Sequence, residues 1–170
     1  MNLPQFEQTM LPHMNAAYNL ARWLMRNDSD AEDAVQEAYL RAFRFFDSFQ
    51  GGDGRGWLLA IVRNTCRTAL QKSGSRPASD EFREELHASD EPGVEERLEK
   101  RDEIASVRWC IEHLPPEYRE VIVMREIEQM SYKEMASAIT APVGTIMSRL
   151  ARARARLQDC LSSRVAGVRA

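Results

Sequence analysis

The chain has 170 residues, of which 44% are hydrophobic and 29% are charged, and its formal net charge is −3. A chain of this length has room for two small domains, each with its own core. The longest uninterrupted apolar stretch, residues 57–62, is far shorter than the roughly 20 residues that span a bilayer, and no charged segment followed by an apolar run opens the chain, so we expect a cytoplasmic protein without membrane insertion.

Residues 4–72 predict an all-α domain, because their apolar side chains recur at helical spacing without period-two alternation. Pro12 predicts a helix break or start near Leu11, since proline has no N–H to donate within a helix. The early apolar stripe, which we expect in the core, consists of Phe6, Met10, Leu11, Met14, Ala17, Tyr18, Ala21 and Leu24.

A further helix is predicted to begin near residues 28–30, where Ser29 and Glu32 have the spacing of a capping box. One of its faces is aromatic and apolar, and we expect it in the core; it carries Val35, Tyr39, Ala42, Phe43 and Phe46. The other face carries Asp33, Gln36, Glu37, Leu40 and Arg44. A leucine among acids is compatible with docking onto a basic helical partner, although a solvated surface explains the same composition.

Residues 47–56 contain four glycines, which predict a flexible loop whose backbone amides can approach a ligand. The helix that follows, over residues 57–71, is predicted to turn Arg63, Asn64 and Arg67 outward with Gln71. A basic and amide-bearing stripe beside such a loop can hold a nucleic-acid single strand and take up an unstacked base. A plain connection next to a solvated helix face is the alternative.

Charge is segregated along the chain, with two basic patches separated by an acidic connector. The net charge is +5 over residues 55–76, −7 over residues 78–103 and +5 over residues 141–170. Two basic patches suit a protein that contacts DNA at two places with salt-dependent affinity. We therefore expect a first domain over residues 1–75, a flexible acidic linker over 76–100, a second domain over 101–161 and a tail over 162–170.

The second domain contains the pattern of a helix-turn-helix. Ser131 and Glu134 form a predicted capping box, the turn falls at residues 140–142, and Pro142 suits the first position of the next helix. The apolar side of that helix consists of Val143, Ile146, Leu150, Ala153 and Leu157, and the opposite side carries Thr145, Ser148, Arg149, Arg152 and Arg156. Such a helix reads bases in the major groove with its N-terminal part, whereas an arginine-rich solvated face is the simpler explanation.

No motif for catalysis or metal binding is recognisable in the sequence. The cysteines at positions 66, 110 and 160 and the histidines at positions 13, 87 and 113 are scattered, without metal-ligand spacing. We therefore expect no enzymatic activity, no cofactor, no metal and no disulfide, and we expect Cys66, Cys110 and Cys160 to be buried or inert thiols.

Four stretches, in this order, resemble bacterial sigma factors of the extracytoplasmic function group, which belong to the sigma-70 family. They are residues 30–43 (DAEDAVQEAYLRAF), 57–66 (WLLAIVRNTC), 114–121 (LPPEYREV) and 142–154 (PVGTIMSRLARAR). The resemblance covers roughly residues 6–157, apart from the acidic connector. It implies an all-α fold of two domains, a region 2-like helical bundle and a region 4-like helix-turn-helix.

The resemblance also implies a function as a dissociable specificity subunit of RNA polymerase, controlled by an anti-sigma factor. The first domain would bind the clamp coiled coil of the β′ subunit and melt the minus-ten promoter element. The second would contact the β flap and read the minus-thirty-five element of promoter DNA.

By motif position, the resemblance implies three sets of contact residues. The polymerase would be bound by Asp33, Gln36, Glu37, Leu40 and Arg44. The separated strand would be captured by Phe49, Arg55, Arg63, Asn64 and Arg67. The upstream duplex would be contacted by Val143, Thr145, Met147, Ser148, Arg149, Arg152 and Arg156, although Met147 and Ala151 depart from the residues that many relatives carry there.

Two other functions are compatible with parts of the sequence. The helix-turn-helix alone fits a dimeric operator-binding regulator, and a sigma-like decoy would only titrate a protein partner. The two-domain order favours the sigma factor over the regulator, and the paired basic patches speak against the decoy. Engagement of a promoter by both domains at once further requires that their arginine side chains are not consumed by intramolecular ion pairs.

Overall fold

The computed structural model of the protein describes residues 2–74 and 94–168, and the described residues form helices and turns without a strand. The all-α prediction is therefore confirmed. The helices are α1 (Leu3–Met10), α2 (Met14–Met25), α3 (Asp28–Arg44), α4 (Gly54–Lys72), α5 (Val94–Glu112), α6 (Pro116–Ile122), α7 (Tyr132–Ile139) and α8 (Val143–Val168). No helix in this part of the chain is long and apolar enough to cross a membrane.

Helices α1 to α4 form an N-terminal bundle, with α2, α3 and α4 packed against one another. The predicted break at Pro12 is a 3₁₀ turn, Leu11–His13, between α1 and α2. Most of the predicted apolar stripe is buried, but Leu11 and Met14 are 47% and 40% exposed, contrary to prediction. Both residues lie at this break, where the change of helix direction turns them away from the core.

Helix α3 begins at Asp28, within the predicted start, and α4 begins earlier than predicted; the side chains that cap both helices were not predicted. In α3 the cap is Asn27, whose side chain accepts a hydrogen bond from the Asp30 N–H at 3.0 Å, so the predicted capping box at Ser29 is wrong. In α4 the cap is Asp53, which accepts from the Arg55 N–H at 3.1 Å, and the helix begins three residues earlier than predicted. The glycine-rich loop is therefore shorter than the sequence indicated.

Helices α5 to α8 form a C-terminal unit that contains the predicted helix-turn-helix. Ser131 and Glu134 form the capping box of α7, which confirms that prediction, and Thr140 ends the helix in a left-handed conformation with φ of 59°. The Pro142 carbonyl accepts from the Thr145 and Ile146 N–H groups at 3.0 and 3.1 Å, so α8 begins one residue later than predicted. Val143 is 42% exposed, contrary to its predicted place in the core, because it lies on the first turn of α8, beyond the packed face.

Two of the predicted boundaries differ from the structure. Helix α5 begins at Val94, inside the segment predicted as a linker over residues 76–100, and α8 continues to Val168, through most of the predicted tail. Runs of charged residues with good helix propensity form regular helices where a neighbouring helix packs against them. The rest of the predicted linker, residues 75–93, lies outside the described residues.

A disulfide joins Cys110 of α5 to Cys160 of α8, contrary to the prediction that these cysteines are inert thiols. The two residues are 50 positions apart, and their Cα atoms are 5.9 Å apart because α5 and α8 pack side by side. Only this tertiary packing brings them together, so no local spacing could have indicated the bond. Cys66 is a free, buried thiol, as predicted, and burial raises its pKa to about 12.

Candidate nucleic-acid interface

The N-terminal bundle and the C-terminal unit pack against each other, mainly through α4 and α7. The central contact is a two-bonded ion pair between Arg63 of α4 and Glu120 of α6. The Arg63 Nε and Nη2 atoms donate to the two carboxylate oxygens of Glu120, each at 2.8 Å. Arg63 is only 4% exposed and Glu120 only 8%. The prediction that Arg63 faces outward for nucleic acid is therefore wrong in this arrangement.

Arg55, also predicted to hold the separated strand, is bound by the C-terminal unit too. Its Nη2 donates to a carboxylate oxygen of Glu128 at 2.9 Å and also to the Glu128 carbonyl oxygen. The other carboxylate oxygen of Glu128 accepts from Asn19 Nδ2 at 2.6 Å. Glu128 itself is buried at 6% exposure, so its charge is compensated almost entirely by the N-terminal bundle.

The position of Glu128 depends on an irregular turn after α6. Residues Val123–Ile127 form a π-helical turn, in which the Glu128 N–H donates to the Val123 carbonyl at 2.9 Å. Gln129 then takes a left-handed φ of 54°. A π turn inserts one extra residue into the helical repeat, and here it ends the α6 helix with Glu128 turned toward α4.

A third contact joins the helix starts of α4 and α7. Hydrogen bonding with the Glu134 carboxyl group, when the two side chains share a proton, lowers the pKa of Asp53, and the Gly56 and Arg55 backbone N–H groups lower it further, against the opposing effect of burial. Gly56 fits this contact because a Cβ atom there would lie 2.6 Å from Asp53 Oδ2 and 3.4 Å from Glu134 Cγ. A side chain at position 56 would displace the Asp53 carboxylate that caps α4, whereas its contact with Glu134 would be an ordinary van der Waals one.

The remaining residues predicted to capture the strand lie around this interface. Asn64 and Arg67 are exposed on α4. Phe49 is half-buried, with its ring stacked 5.8 Å from Phe46 and 5.2 Å from Trp57. Of the five residues predicted to capture the strand, Arg55 and Arg63 lie in the interface between the units, and only Asn64 and Arg67 are exposed to solvent.

We call the residues predicted to contact the upstream duplex the upstream reader. They lie on the first turns of α8. The exposed members of the upstream reader are Val143, Thr145, Met147, Ser148 and Arg152, and Arg149 is half-buried. Within the described residues neither Arg149 nor Arg152 is held in an ion pair. Arg156, two turns further, stacks on Tyr118 with its Cζ atom 4.8 Å from the ring centroid. The prediction that the arginines are free of ion pairs therefore holds for the upstream reader and is wrong for Arg55 and Arg63.

The face predicted to bind the polymerase is fully accessible. Asp33, Gln36, Glu37, Leu40 and Arg44 are all exposed on α3, and Leu40 is 62% exposed. Glu37 pairs with Arg41 one turn away, at 2.7 Å from Nε. Large exposed leucines on an otherwise polar helix face are candidates for protein contact.

Sequence reasoning missed the acids that close the interface, Glu120, Glu128 and Glu134. Arg63 and Glu120 are 57 positions apart, and Arg55 and Glu128 are 73 apart. Pairing over such distances is not encoded in local spacing. The charge segregation gave no signal for them either, because all three acids lie outside the acidic segment at residues 78–103.

Comparison with known proteins agrees with this two-unit architecture. The family described as Sigma-70 region 2 matches residues 10–76, and the family described as Sigma-70, region 4 matches residues 104–157. The RNA polymerase sigma-H factor of Pseudomonas aeruginosa is 34% identical over 165 residues, covering 92% of this chain and 86% of its own length. The ECF RNA polymerase sigma factor SigE of Mycolicibacterium smegmatis is 32% identical over 162 residues and covers 94% of this chain, which spans 63% of that relative.

Two solved structures have a similar fold, and one of them is described as a sigma factor. RpoE from Bartonella quintana, in complex with the anti-sigma factor NepR, has a TM-score of 0.76 at 26% identity and covers 94% of this chain and 98% of its own. CnrH, in complex with the cytosolic domain of CnrY, has a TM-score of 0.66 at 29% identity and covers 95% and 90%. The fold and the paired basic surfaces define a two-domain transcription initiation factor. The chain belongs to the sigma-70 family, in its extracytoplasmic function group, and proteins of this family are not enzymes.

Proposed function

We propose that this chain acts as an alternative sigma factor, binding core RNA polymerase in the cytoplasm and directing it to a specific set of promoters. The observation that carries this proposal is the exposed start of α8, where Thr145, Ser148 and Arg152 face solvent at the end of a capped helix-turn-helix. Helices presented in this way enter the major groove with their N-terminal turns. Exposed Arg152 supplies both positive charge and a donor fork suited to guanine or phosphate.

The α3 face with Glu37 and Leu40 is the proposed contact for the β′ clamp coiled coil. Its acidic and apolar composition complements a basic helical partner, and charge complementarity speeds association and fixes orientation. The β flap would be contacted by the C-terminal unit. The domain boundary near residue 75 is part of the same proposal, with a C-terminal unit that includes α5 from Val94. The bundle would serve the minus-ten element and the helix-turn-helix the minus-thirty-five element.

The structure represents, in this proposal, a closed and inactive form of the sigma factor. Arg55 and Arg63 cannot hold single-stranded DNA while their guanidinium groups are bonded to Glu128 and Glu120. Promoter melting would therefore require the two units to separate, with each arginine exchanging a carboxylate for a DNA phosphate. The sigma factor RpoE named above was solved in complex with the anti-sigma factor NepR, and we propose that an anti-sigma factor also controls this chain.

Run-off transcription with core RNA polymerase and a promoter library tests the function directly. We expect transcripts that depend on the added chain and share upstream sequence elements. The double variant Arg149→Ala with Arg152→Ala provides the matched control, since it should keep polymerase binding and lose promoter choice. Promoter-specific DNA binding without any dependence on polymerase would instead support an autonomous operator-binding regulator.

A further inference from the structure

A cavity of about 250 Å³ lies between the N-terminal bundle and the C-terminal unit. Apolar groups of Leu24, Cys66, Leu70 and Pro116 form part of its wall. The charged groups that line it are Arg63, Arg67, Arg119, Arg149, Glu117 and Glu120. Because Arg63 and Glu120 neutralise each other, three arginines face a single remaining carboxylate, and the cavity is cationic.

Arg119 is a buried cation of this cavity whose hydrogen bonds are incomplete. It is only 6% exposed, and its Nη1 donates to the Glu112 carbonyl at 2.9 Å. Its Nε is buried without a hydrogen-bond partner among the described residues. Burial and the nearby charge of Arg26 lower the pKa of Arg119, and Glu112 and Glu120 only partly oppose them. A buried cation that lacks a full partner is costly, so an anion in the adjacent cavity would relieve a penalty already present.

We propose that this cavity is a binding site for a small anion bearing phosphate groups, such as pyrophosphate or the phosphate end of a nucleotide. Guanidinium groups form paired, charge-assisted hydrogen bonds with phosphate oxygens. The cavity is smaller than the roughly 300–1,000 Å³ typical of sites for drug-sized ligands, which favours a compact anion over a whole nucleotide. Arg67 contributes from the N-terminal bundle, and Arg119 and Arg149 contribute from the C-terminal unit.

The site exists only while the two units are packed together. A ligand that binds one of two conformations shifts the population toward it, so the anion stabilises the closed form. Arg67 and Arg149 also belong to the two DNA surfaces of the proposed function, and in this respect the inference rests on that function. The anion therefore competes with promoter DNA for the same guanidinium groups, and a pool of phosphate metabolites would restrain transcription initiation.

Isothermal titration of the full chain with inorganic pyrophosphate tests binding without any DNA. We expect saturable binding that Arg149→Ala weakens by about tenfold or more, since a hydrogen bond to a charged group is lost. Arg152→Ala is the matched control, because it removes the same charge from the same helix outside the cavity lining. Absence of saturable binding, or equal losses in both variants, would overturn the site and would leave the transcription result unaffected.

Two further arms define the ligand and the need for the closed form. Titrations with ATP and with acetate at matched ionic strength separate the sources: similar affinity for ATP and pyrophosphate supports recognition of phosphate groups, whereas preference for acetate would point to a carboxylate ligand and overturn the phosphate assignment.

Glu120→Gln removes a negative charge from the cavity, so simple electrostatics predicts tighter pyrophosphate binding. We expect weaker binding, because this variant loosens the interface, and a gain in affinity would refute the requirement for packed units.

Discussion

Replacement of Glu120 by glutamine should open the molecule, because it removes one partner of the buried ion pair with Arg63. Glutamine keeps the shape of the side chain but leaves the Arg63 guanidinium, 4% exposed in the closed form, without its carboxylate. Breaking a buried pair in this way costs about 3–5 kcal/mol. Opening re-exposes Arg63 to water, so the cost falls on the closed form and spares the folding of each unit. The closed-to-open equilibrium should shift by about a hundredfold to a few thousandfold.

The free thiol of Cys66 reports this opening. Cys66 is fully buried and lines the cavity between the units, and burial raises its pKa to about 12 from an ordinary value of 9.0. Only the thiolate reacts with disulfide reagents, and Cys110 and Cys160 are already joined to each other. Glu120→Gln should therefore accelerate labelling of Cys66 at least tenfold. Glu103→Gln is the matched control, since Glu103 is an exposed acid on α5 outside the lining of the cavity. Equal labelling rates for wild type and Glu120→Gln would refute the assignment of this pair as the latch between the units.

Three further outcomes follow from other parts of the structure. Reduction of the Cys110–Cys160 bond, which spans 50 positions, should lower the free energy of unfolding in urea by about 4 kcal/mol in the chain-entropy account. The double variant with alanine at both positions is the control, because its stability should not change with reductant. An unchanged stability of the reduced wild type would contradict this prediction. Arg152→Ala should weaken promoter binding by about 1–3 kcal/mol if a base is read, measured by fluorescence anisotropy, and identical affinity for the cognate promoter would remove Arg152 from the reader. Glu37→Lys should reduce capture of core polymerase in a pull-down, because it places like charge against a basic partner, while the exposed Glu7→Lys should not; equal capture by both variants would remove the α3 face from the proposal.

The helix-turn-helix could be predicted from the sequence because its signals are local. A capping box at Ser131, a proline at position 142 and apolar residues at helical spacing act within a few turns, and each is decided by neighbouring atoms. The core face of α3, with Val35 and Ala42 buried, followed for the same reason. The cap of α3 was misassigned because Asn27, upstream of Ser29, satisfies the first N–H groups, and the start of α4 was displaced because Asp53 does so there.

The interface between the units could not be predicted, because it depends on contacts far apart in sequence. The same basic stripe on α4 is suited to phosphate and to a carboxylate, and composition alone does not distinguish the two. Arg63 was predicted to hold nucleic acid, and in this arrangement its guanidinium group bonds Glu120 instead. The disulfide escaped prediction in the same way, since Cys110 and Cys160 meet only after α5 has packed on α8.

The carboxylates of Glu120 and Glu128 predict where activating mutations will fall. They lie on the C-terminal unit yet occupy the arginines that the N-terminal bundle would otherwise offer to DNA. A screen for hyperactive alleles should therefore recover neutral replacements at these two acids. Loss-of-function alleles, in contrast, should fall on the arginines themselves. A double mutant that carries both an acid and an arginine replacement should show the defect of the arginine replacement alone.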